Sequence, residues 1–587
     1  MSELDQSPNS RSSAASAARR WSLALAALAV AHVVVRVAWP IVATDALHDD
    51  YRQNWFWLEQ VRAGVDFSAT DPLTAYARAF QPPALAWLYQ TLAKQIDPYL
   101  FTKWIGLVLV APFAVALWRL GERSSPRGAF APLLVAAGLL DEVWLRELMG
   151  GLARSYGPPL QLAVLASVVA GRWWLAVAWL TLAGLLHPQS LVLGASVVAV
   201  GFARARRARS SDGAPGGRAP FAPMAAAALV AVALSVTNAW HVRGVEARFG
   251  TLLTRDEVLG SVDYGPGGRF RNERPAPLPI EAARMLAAHL GVPDDVLVRV
   301  PPFAPLGEQL GWATGVLAVA AAALAGLRWL TRASFRDLPW WVPASVAVAA
   351  GWNAVAYLVL PRLYFPRRFL ATYEPLAFLG ALAWFLAAGL EQHRDRPDRA
   401  PARRRTLAVA AVLVLASIAR FDGGPLAYGI PRGGYEGVAR FLAAQPSSTR
   451  YAANPRGDAD TLIAMVQRRI EIASELAHPL FRDYLEKTVR RRTERVTRAL
   501  FPEDPARDVA ALAADGVQLL VLRRRDLGWE ELPANFAYEP VRSQVRAYWN
   551  GARQGTARSF WAALAARATV YEDDAFVVVD LRKLASR

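Results

Sequence analysis

The chain has 587 residues, of which 54% are apolar and 20% are charged. This composition is too apolar for an ordinary soluble protein and indicates a membrane protein with soluble parts, while the lack of cysteine excludes disulfides, thiolate catalysis and cysteine-ligated zinc. The net charge of +17 comes from arginines that lie mostly between apolar runs or in the C-terminal third, so we expect no nucleic-acid partner.

The first apolar run, residues 21–43, reads WSLALAALAVAHVVVRVAWPIVA and follows a polar tail, residues 1–20. A bilayer core requires about 20 apolar residues per helix, and this run satisfies that length. It is longer than a signal-peptide core and lacks a small-residue cleavage site. The sequence therefore predicts an uncleaved first membrane span.

An acidic segment, TDALHDDYRQNWFWLEQ, follows this span directly. Asp49 and Asp50 would lie at the membrane surface, where a carboxylate is neither deeply buried nor fully hydrated. Because adjacent carboxylates repel each other, one could be held protonated or paired with His48 or Arg52, which suits a group that abstracts a proton. These four residues form a candidate site.

A structural alternative exists for the same segment. One aspartate would cap the following helix, and the aromatic residues 55–57 would anchor that helix at the membrane interface.

Further apolar windows predict about eleven spans in total, including the first. They lie near residues 101–120, 128–146, 155–171, 173–187, 189–203, 221–240, 309–328, 340–360, 369–390 and 406–420.

The loops between these windows predict the orientation of the protein. Three arginine-rich loops fall on the side of the N-terminus, and short basic loops stay in the cytoplasm. Residues 1–20 are then a cytoplasmic tail, and residues 21–420 are a membrane domain whose outer loops cover residues 44–100 and 241–308. The C-terminal part, residues 421–587, is predicted to lie outside the cytoplasm.

This C-terminal part changes in character. Short β-rich runs, RRIEIAS, VQLLVLRR and ATVYEDDAFVVVDLR, alternate with helical stretches such as DYLEKTVRRRTERVTRALF. The alternation predicts an extracytoplasmic α/β domain. No strand-GxGxxG-helix pattern is present, so we expect neither a nicotinamide nor a flavin cofactor.

The membrane part resembles the GT-C superfamily of polytopic membrane glycosyltransferases, in a bacterial branch. The resemblance rests on the acidic pair after the first span and on TAYARAFQPPALAWLYQTLAKQIDPYLFTKW, GGLARSYGPPLQLA and LYFPRRFLATYEPLAFL. It implies a multi-pass protein of the bacterial inner membrane whose loop acid, Asp49 or Asp50, is the catalytic base. It also implies a polyprenyl-phosphate-linked sugar donor and an extracytoplasmic acceptor. HDD departs from the commoner Asp-Glu pair, which leaves open which aspartate acts.

Arginines supply the cations that a departing phosphate requires. Arg362, Arg367 and Arg368 follow a predicted span on the outer face, and the planar guanidinium fork matches phosphate oxygens. Contact with lipid headgroups is the alternative role. Arg154 and Tyr156 lie at another outer turn and are candidates for the same substrate.

His187 stands in LLHPQS, inside an apolar region and beside a proline. An ionisable group at membrane depth suggests a substrate contact, although a hydrogen-bonded histidine at a helix break is an equally ordinary structural solution. Asp458 and Asp460 imitate a metal-binding Asp-x-Asp, but helix capping is the better interpretation. A divalent cation could assist phosphate departure, although these patterns do not identify its ligands.

Two other function classes remain open. A lipid or polysaccharide transporter, or a flippase, would also have many spans and basic residues. A non-catalytic envelope polysaccharide assembly protein would fit the large outer domain without needing the acidic pair.

Overall fold

The computed structural model describes residues 8–44, 46–211, 220–290, 292, 304–363, 365–392, 400–420, 430–525, 532, 536–549 and 551–585. The chain divides into two compact units, each built from three segments. The first unit comprises residues 1–43, 104–239 and 275–427, and the second comprises residues 44–103, 240–274 and 428–587. Two helices, Pro98–Ser124 and Phe221–Phe249, contribute residues to both units.

The described part of the first unit is helical. Its α-helices are Pro8–Val33, Trp39–Ala43, Pro98–Ser124, Phe130–Leu139, Glu142–Leu148, Gly157–Val169, Trp173–Leu186, Pro188–Ser211, Phe221–Phe249, Leu278–His289, Leu306–Thr331, Trp341–Leu358, Tyr373–Gln392 and Ala400–Arg420. A π-helical segment, Val34–Ala38, joins the first two. Shorter 3-10 turns are Met149–Gly151, Ala153–Tyr156, Phe335–Asp337 and Pro366–Phe369.

Within the described ranges, seven segments are long and apolar enough to cross a membrane. They are Arg19–Ala43, Pro98–Ser124, Pro188–Ser210, Phe221–Phe249, Leu306–Thr331, Trp341–Leu358 and Pro366–Glu391. All eleven predicted windows coincide with helices, but three of the middle ones end after 10 to 14 residues. The last window lies in Ala400–Arg420, which carries three arginines near its start. The structure thus confirms a polytopic helical membrane protein, with fewer full-length spans than the windows indicate.

The core of the first unit surrounds the segment Pro366–Glu391, of which 72% is buried. Its helix Tyr373–Gln392 packs against Trp341–Leu358, Phe130–Leu139 and Leu306–Thr331. By contrast, only 11% of Phe221–Phe249 is buried inside the protein. An apolar helix with so little protein around it is suited to face lipid.

The second unit combines short helices with a sheet. Its α-helices are Asp49–Asn54, Trp57–Arg62, Pro72–Ala79, Pro83–Ala93, Arg255–Gly260, Glu436–Ala443, Asp458–Met465, Arg491–Leu500, Pro505–Ala514, Val541–Tyr548, Gly551–Ala568 and Arg582–Ala585. A π-helix covers Tyr484–Arg490, and 3-10 turns cover Val262–Tyr264, Arg271–Glu273 and Ser474–Leu476. The strands are β1 Ala46–Leu47, β2 Ile430–Pro431, β3 Arg450–Ala452, β4 Arg469–Ile470, β5 Leu519–Arg523, β6 Thr569–Glu572 and β7 Phe576–Asp580.

Five of these strands form one mixed sheet in the order β4-β3-β5-β7-β6. Strand β3 pairs in parallel with both β4 and β5, whereas β7 pairs antiparallel with β5 and β6. The three predicted β-rich runs supply four of the strands, and only β3 is missing from that prediction. The α/β character of the C-terminal domain is therefore confirmed.

The acidic segment is held by a second, two-stranded sheet. β1 pairs antiparallel with β2, with Leu47 opposite Ile430. The residue after β1, His48, then begins the turn into the helix Asp49–Asn54. This pairing ties the backbone before the acidic pair to the start of the C-terminal segment.

The aromatic residues after that helix are not interfacial anchors, so this expectation is wrong. Trp55, Phe56 and Trp57 are each at most 2% exposed. The chain turns at Trp55–Phe56 and starts a new helix, Trp57–Arg62. The Trp55 ring packs on Tyr89 with 4.4 Å between ring centroids, so these side chains form core.

Candidate functional site

In the second unit, the candidate base Asp50 lies buried at the first turn of its helix, with its side chain 5% exposed. His48 is the N-cap, and the Asp50 backbone N–H donates to His48 Nδ1 at 3.0 Å. The alternative in which Asp50 caps this helix is therefore wrong, because a histidine ring performs that role. Asp49 begins the helix, but its side chain lies outside the described part of the structure.

The cap also fixes the protonation of the His48 ring. A backbone N–H always donates, so Nδ1 must carry a lone pair and the ring is neutral with its proton on Nε2. The Asp50 carboxylate lies 3.6 Å from the same Nδ1. That nitrogen does not donate to the carboxylate, because it accepts the backbone N–H, and the role of His48 here is to cap the start of the helix.

Arg52, the other predicted partner of the acidic pair, contacts a more distant acid. Its Nη2 lies 3.8 Å from Glu475 Oε1, and Arg269 Nη2 lies 2.5 Å from Glu475 Oε2. The Glu475 backbone N–H donates to Asp460 Oδ1 at 2.8 Å. Burial raises the pKa of Asp460, and the positive charge of Arg52 opposes that shift. Two arginines and two acids thus form a charged network that includes Arg52 of the acidic segment.

The Asp-x-Asp pair does not converge. Asp460 accepts the Gly457 backbone N–H at 3.2 Å, which is the capping role expected from the sequence. Asp458 turns to other partners and accepts from Arg523 Nε and from the Tyr435 hydroxyl, each at 2.9 Å. Over the described ranges, no three acidic or imidazole side chains are arranged to hold a metal ion.

In the first unit, Glu147 connects two predicted substrate arginines. Its Oε2 lies 3.5 Å from Arg154 Nε, and its Oε1 lies 3.6 Å from Arg368 Nη1. All three side chains are partly exposed, between 20% and 31%. The result is a solvent-accessible group of two guanidinium cations around one carboxylate.

Backbone turns place these arginines. Gly150 and Gly151 have φ values of 79° and 67°, a left-handed conformation that favours glycine. They end the helix Glu142–Leu148 and lead into the turn that carries Arg154. Arg368 is held in the 3-10 turn Pro366–Phe369, which packs on the helix Trp341–Leu358.

The other candidates of this unit differ in their surroundings. Arg362 is exposed, whereas Tyr156 is 8% exposed and belongs to the turn that carries Arg154. Arg367 lies in electrostatic range of Arg284. Burial lowers the pKa of Arg284, and Arg367 lowers it further while Glu281 opposes the shift. These charges extend the basic character of the Arg154 and Arg368 group.

His187 ends the helix Trp173–Leu186, directly before Pro188. Its Nδ1 lies 2.7 Å from the Ser190 hydroxyl, which also accepts from Gln161 Nε2 at 2.8 Å. This is the hydrogen-bonded histidine at a helix break that the structural alternative describes. His187 also lies in electrostatic range of Glu147 and Arg368, so a substrate role stays a prediction.

The first unit contains another buried pair of an aspartate and a histidine. Asp141 caps the helix Glu142–Leu148, and its other oxygen, Oδ2, lies 2.6 Å from His289 Nδ1. Trp144 packs edge-on against the His289 ring with 5.7 Å between centroids. The pair joins Glu142–Leu148 to Leu278–His289.

The structure groups the ten candidates into two sets. The second unit holds His48, Asp49, Asp50 and Arg52, and the first unit holds Arg154, Tyr156, His187, Arg362, Arg367 and Arg368. Sequence reasoning missed Glu147, although an acid between an apolar helix and GGLARSYG was a usable signal. It also missed Glu475 and Arg269, whose pairing spans about 200 residues and leaves no local pattern.

No family model matches the chain, and no curated protein matches it. Similar solved structures include ArnT from Cupriavidus metallidurans in the apo state, with 14% identity and a TM-score of 0.46. They also include ArnT from the same organism bound to undecaprenyl phosphate, with 14% identity and a TM-score of 0.47. Each match covers 96% of this chain and 98% of the ArnT chain.

ArnT is a GT-C glycosyltransferase, and GT-C is the superfamily that the sequence resembles.

Proposed function

We propose that the chain is a membrane glycosyltransferase that moves a sugar from a polyprenyl-phosphate-linked donor to an extracytoplasmic acceptor. The observation that carries this proposal is the Asp50 carboxylate, which is buried at the first turn of its helix, where the His48 cap engages the Asp50 backbone N–H and not its side chain. Asp49 remains the alternative base. A general base requires a carboxylate that the surrounding structure holds in a fixed position.

In the proposed reaction, the base carboxylate removes the proton of an acceptor hydroxyl. The acceptor oxygen bonds to the anomeric carbon of the sugar, and the bond from that carbon to the phosphate oxygen breaks. The electron pair of the broken bond stays on the phosphate oxygen, so the lipid leaves as a phosphomonoester. The proton on the carboxylate then passes to water.

The departing phosphate gains negative charge and needs cations. Arg154 and Arg368 supply two guanidinium groups in one solvent-accessible cluster, with Arg367 and Arg284 adding charge. Guanidinium binds phosphate oxygens in a bidentate manner. The lipid class of the donor rests on the sequence resemblance; one of the similar structures, that of ArnT, is bound to undecaprenyl phosphate.

We further place the N-terminus in the cytoplasm and the C-terminal α/β domain outside it, in the inner membrane of a bacterium. The arginine-rich loops support this orientation. Reporter fusions at the C-terminus test it: activity of a periplasm-only reporter is expected, and activity of a cytoplasm-only reporter would contradict it.

The proposed activity is tested with purified protein, sugar-loaded polyprenyl phosphate and an envelope extract as the acceptor pool. Mass spectrometry of the lipid is expected to show bare polyprenyl phosphate together with a glycosylated acceptor. Intact donor on the opposite leaflet of a liposome would instead indicate a flippase. Binding of polysaccharide without any change in the donor would indicate an assembly protein.

A further inference from the structure

Glu147 lies where it reduces the positive charge offered to a phosphate. Its two oxygens face different arginines, at 3.5 Å from Arg154 and 3.6 Å from Arg368. Charge-assisted hydrogen bonds between such groups are usually about 2.7–2.9 Å long. Both Glu147 contacts are longer than this range and are ion pairs rather than short hydrogen bonds.

The two lipids of the proposed reaction differ in the charge of their phosphate group. Glu147 offsets one of the two positive charges that Arg154 and Arg368 carry, and Arg284, Arg367 and Glu281 add further charges to this group. A donor phosphodiester carries one negative charge, whereas a phosphomonoester carries about −1.5 to −2 at neutral pH. Under the proposed function, one turnover converts the first lipid into the second. The product thus carries more negative charge at its phosphate than the donor does.

We propose that Glu147 is a specificity residue that favours release of the phosphomonoester product over the phosphodiester donor. The inference rests on the proposed function. The carboxylate repels any bound phosphate in proportion to its charge, so the repulsion is larger for the product. Arg284, Arg367 and Glu281 keep the same charges in the wild type and in a Glu147 variant, so they do not change the effect of removing the Glu147 charge.

The test is Glu147→Gln, which keeps the size of the side chain and removes its charge. If the diester affinity rises about fivefold, the charge ratio predicts a rise of about 10- to 25-fold for the monoester. The probes are undecaprenyl phosphate and its methyl phosphodiester, which differ in charge but not in the lipid. Dissociation constants are measured by native mass spectrometry of the full-length protein in detergent.

Glu142→Gln is the matched control, because Glu142 lies on the same helix and pairs with Arg146 one turn away. It is expected to leave both affinities unchanged. Glu147→Asp retains the charge and is expected to bind both lipids like the wild type. This second variant separates a charge effect from a folding defect in Glu147→Gln.

Suppose that the wild-type protein binds both lipids and that Glu147→Gln binds the monoester no more tightly than the wild type does. This result would overturn the inference about Glu147 alone. If the wild-type protein binds neither lipid, the polyprenyl-phosphate donor of the proposed function falls as well. Inorganic phosphate is the third probe. Binding of inorganic phosphate as tight as that of the lipid would assign the cluster to soluble phosphate and overturn the inference.

Discussion

The substitution Asp50→Asn separates catalysis from structure in the acidic segment. It preserves the shape of a buried side chain and removes its charge and basicity. Because His48 caps the helix through the Asp50 backbone N–H, the cap is untouched by this change. We therefore expect the variant to fold and insert normally.

The expected effect of a substitution depends on whether the residue is a general base or a helix cap. Loss of a general base lowers the rate by about two to four orders of magnitude, equivalent to about 3–5.5 kcal/mol. Loss of a cap costs about 1 kcal/mol of stability. Asp71→Ala provides the contrast, because Asp71 caps Pro72–Ala79 and accepts the Thr74 backbone N–H at 2.9 Å. It should lower the melting temperature and leave the rate per folded molecule unchanged.

The assay combines initial rates of sugar transfer with thermal melting of the same preparations. Asp49→Asn and the double variant are measured alongside, since either aspartate could be the base. Full activity in both single variants and in the double variant would refute the catalytic role of the acidic pair.

Two further predictions concern an arginine and a histidine. Arg368→Lys keeps the charge but loses the bidentate fork, so the initial rate of transfer should fall about tenfold or more, whereas the exposed Arg336→Lys should match the wild type. Burial lowers the pKa of His478 to about 3, while the unfolded value is about 6.5. The unfolded state thus binds more protons between these values, and stability should fall by about 1.4 kcal/mol per pH unit as the pH drops below 6.5. Melting curves of His478→Phe should show a weaker acid dependence, and an unchanged dependence would contradict this assignment.

The architecture could be predicted wherever only one type of secondary structure suits the local sequence pattern. A long apolar run has no stable form in a bilayer other than a helix, so every predicted window coincides with one. Three of the windows correspond to helices of only 10 to 14 residues, because hydropathy does not register where a helix ends. Asp141, for example, caps a new helix inside the window 128–146 and divides it.

The candidate site was predictable in its residue types but not in its pairings. The acidic pair and the basic turns stand out because charges next to apolar runs are costly without a purpose. Arg154, Glu147 and Arg368 meet although more than 200 residues separate Arg368 from the other two. The capping role of His48 was also hidden, because a histidine is a far less common cap than the aspartates beside it.

The most direct test of the proposed transferase is the stoichiometry of one reaction, measured for the wild type and for Asp50→Asn. Donor lipid with an isotopically labelled sugar is incubated with the protein and an envelope extract, and bare lipid phosphate and labelled acceptor are counted by mass spectrometry. We predict one lipid phosphate released for each sugar transferred by the wild type, and a rate lower by at least about a hundredfold for the variant. Donor that stays intact with the wild type, or equal transfer by the variant, would contradict the assignment.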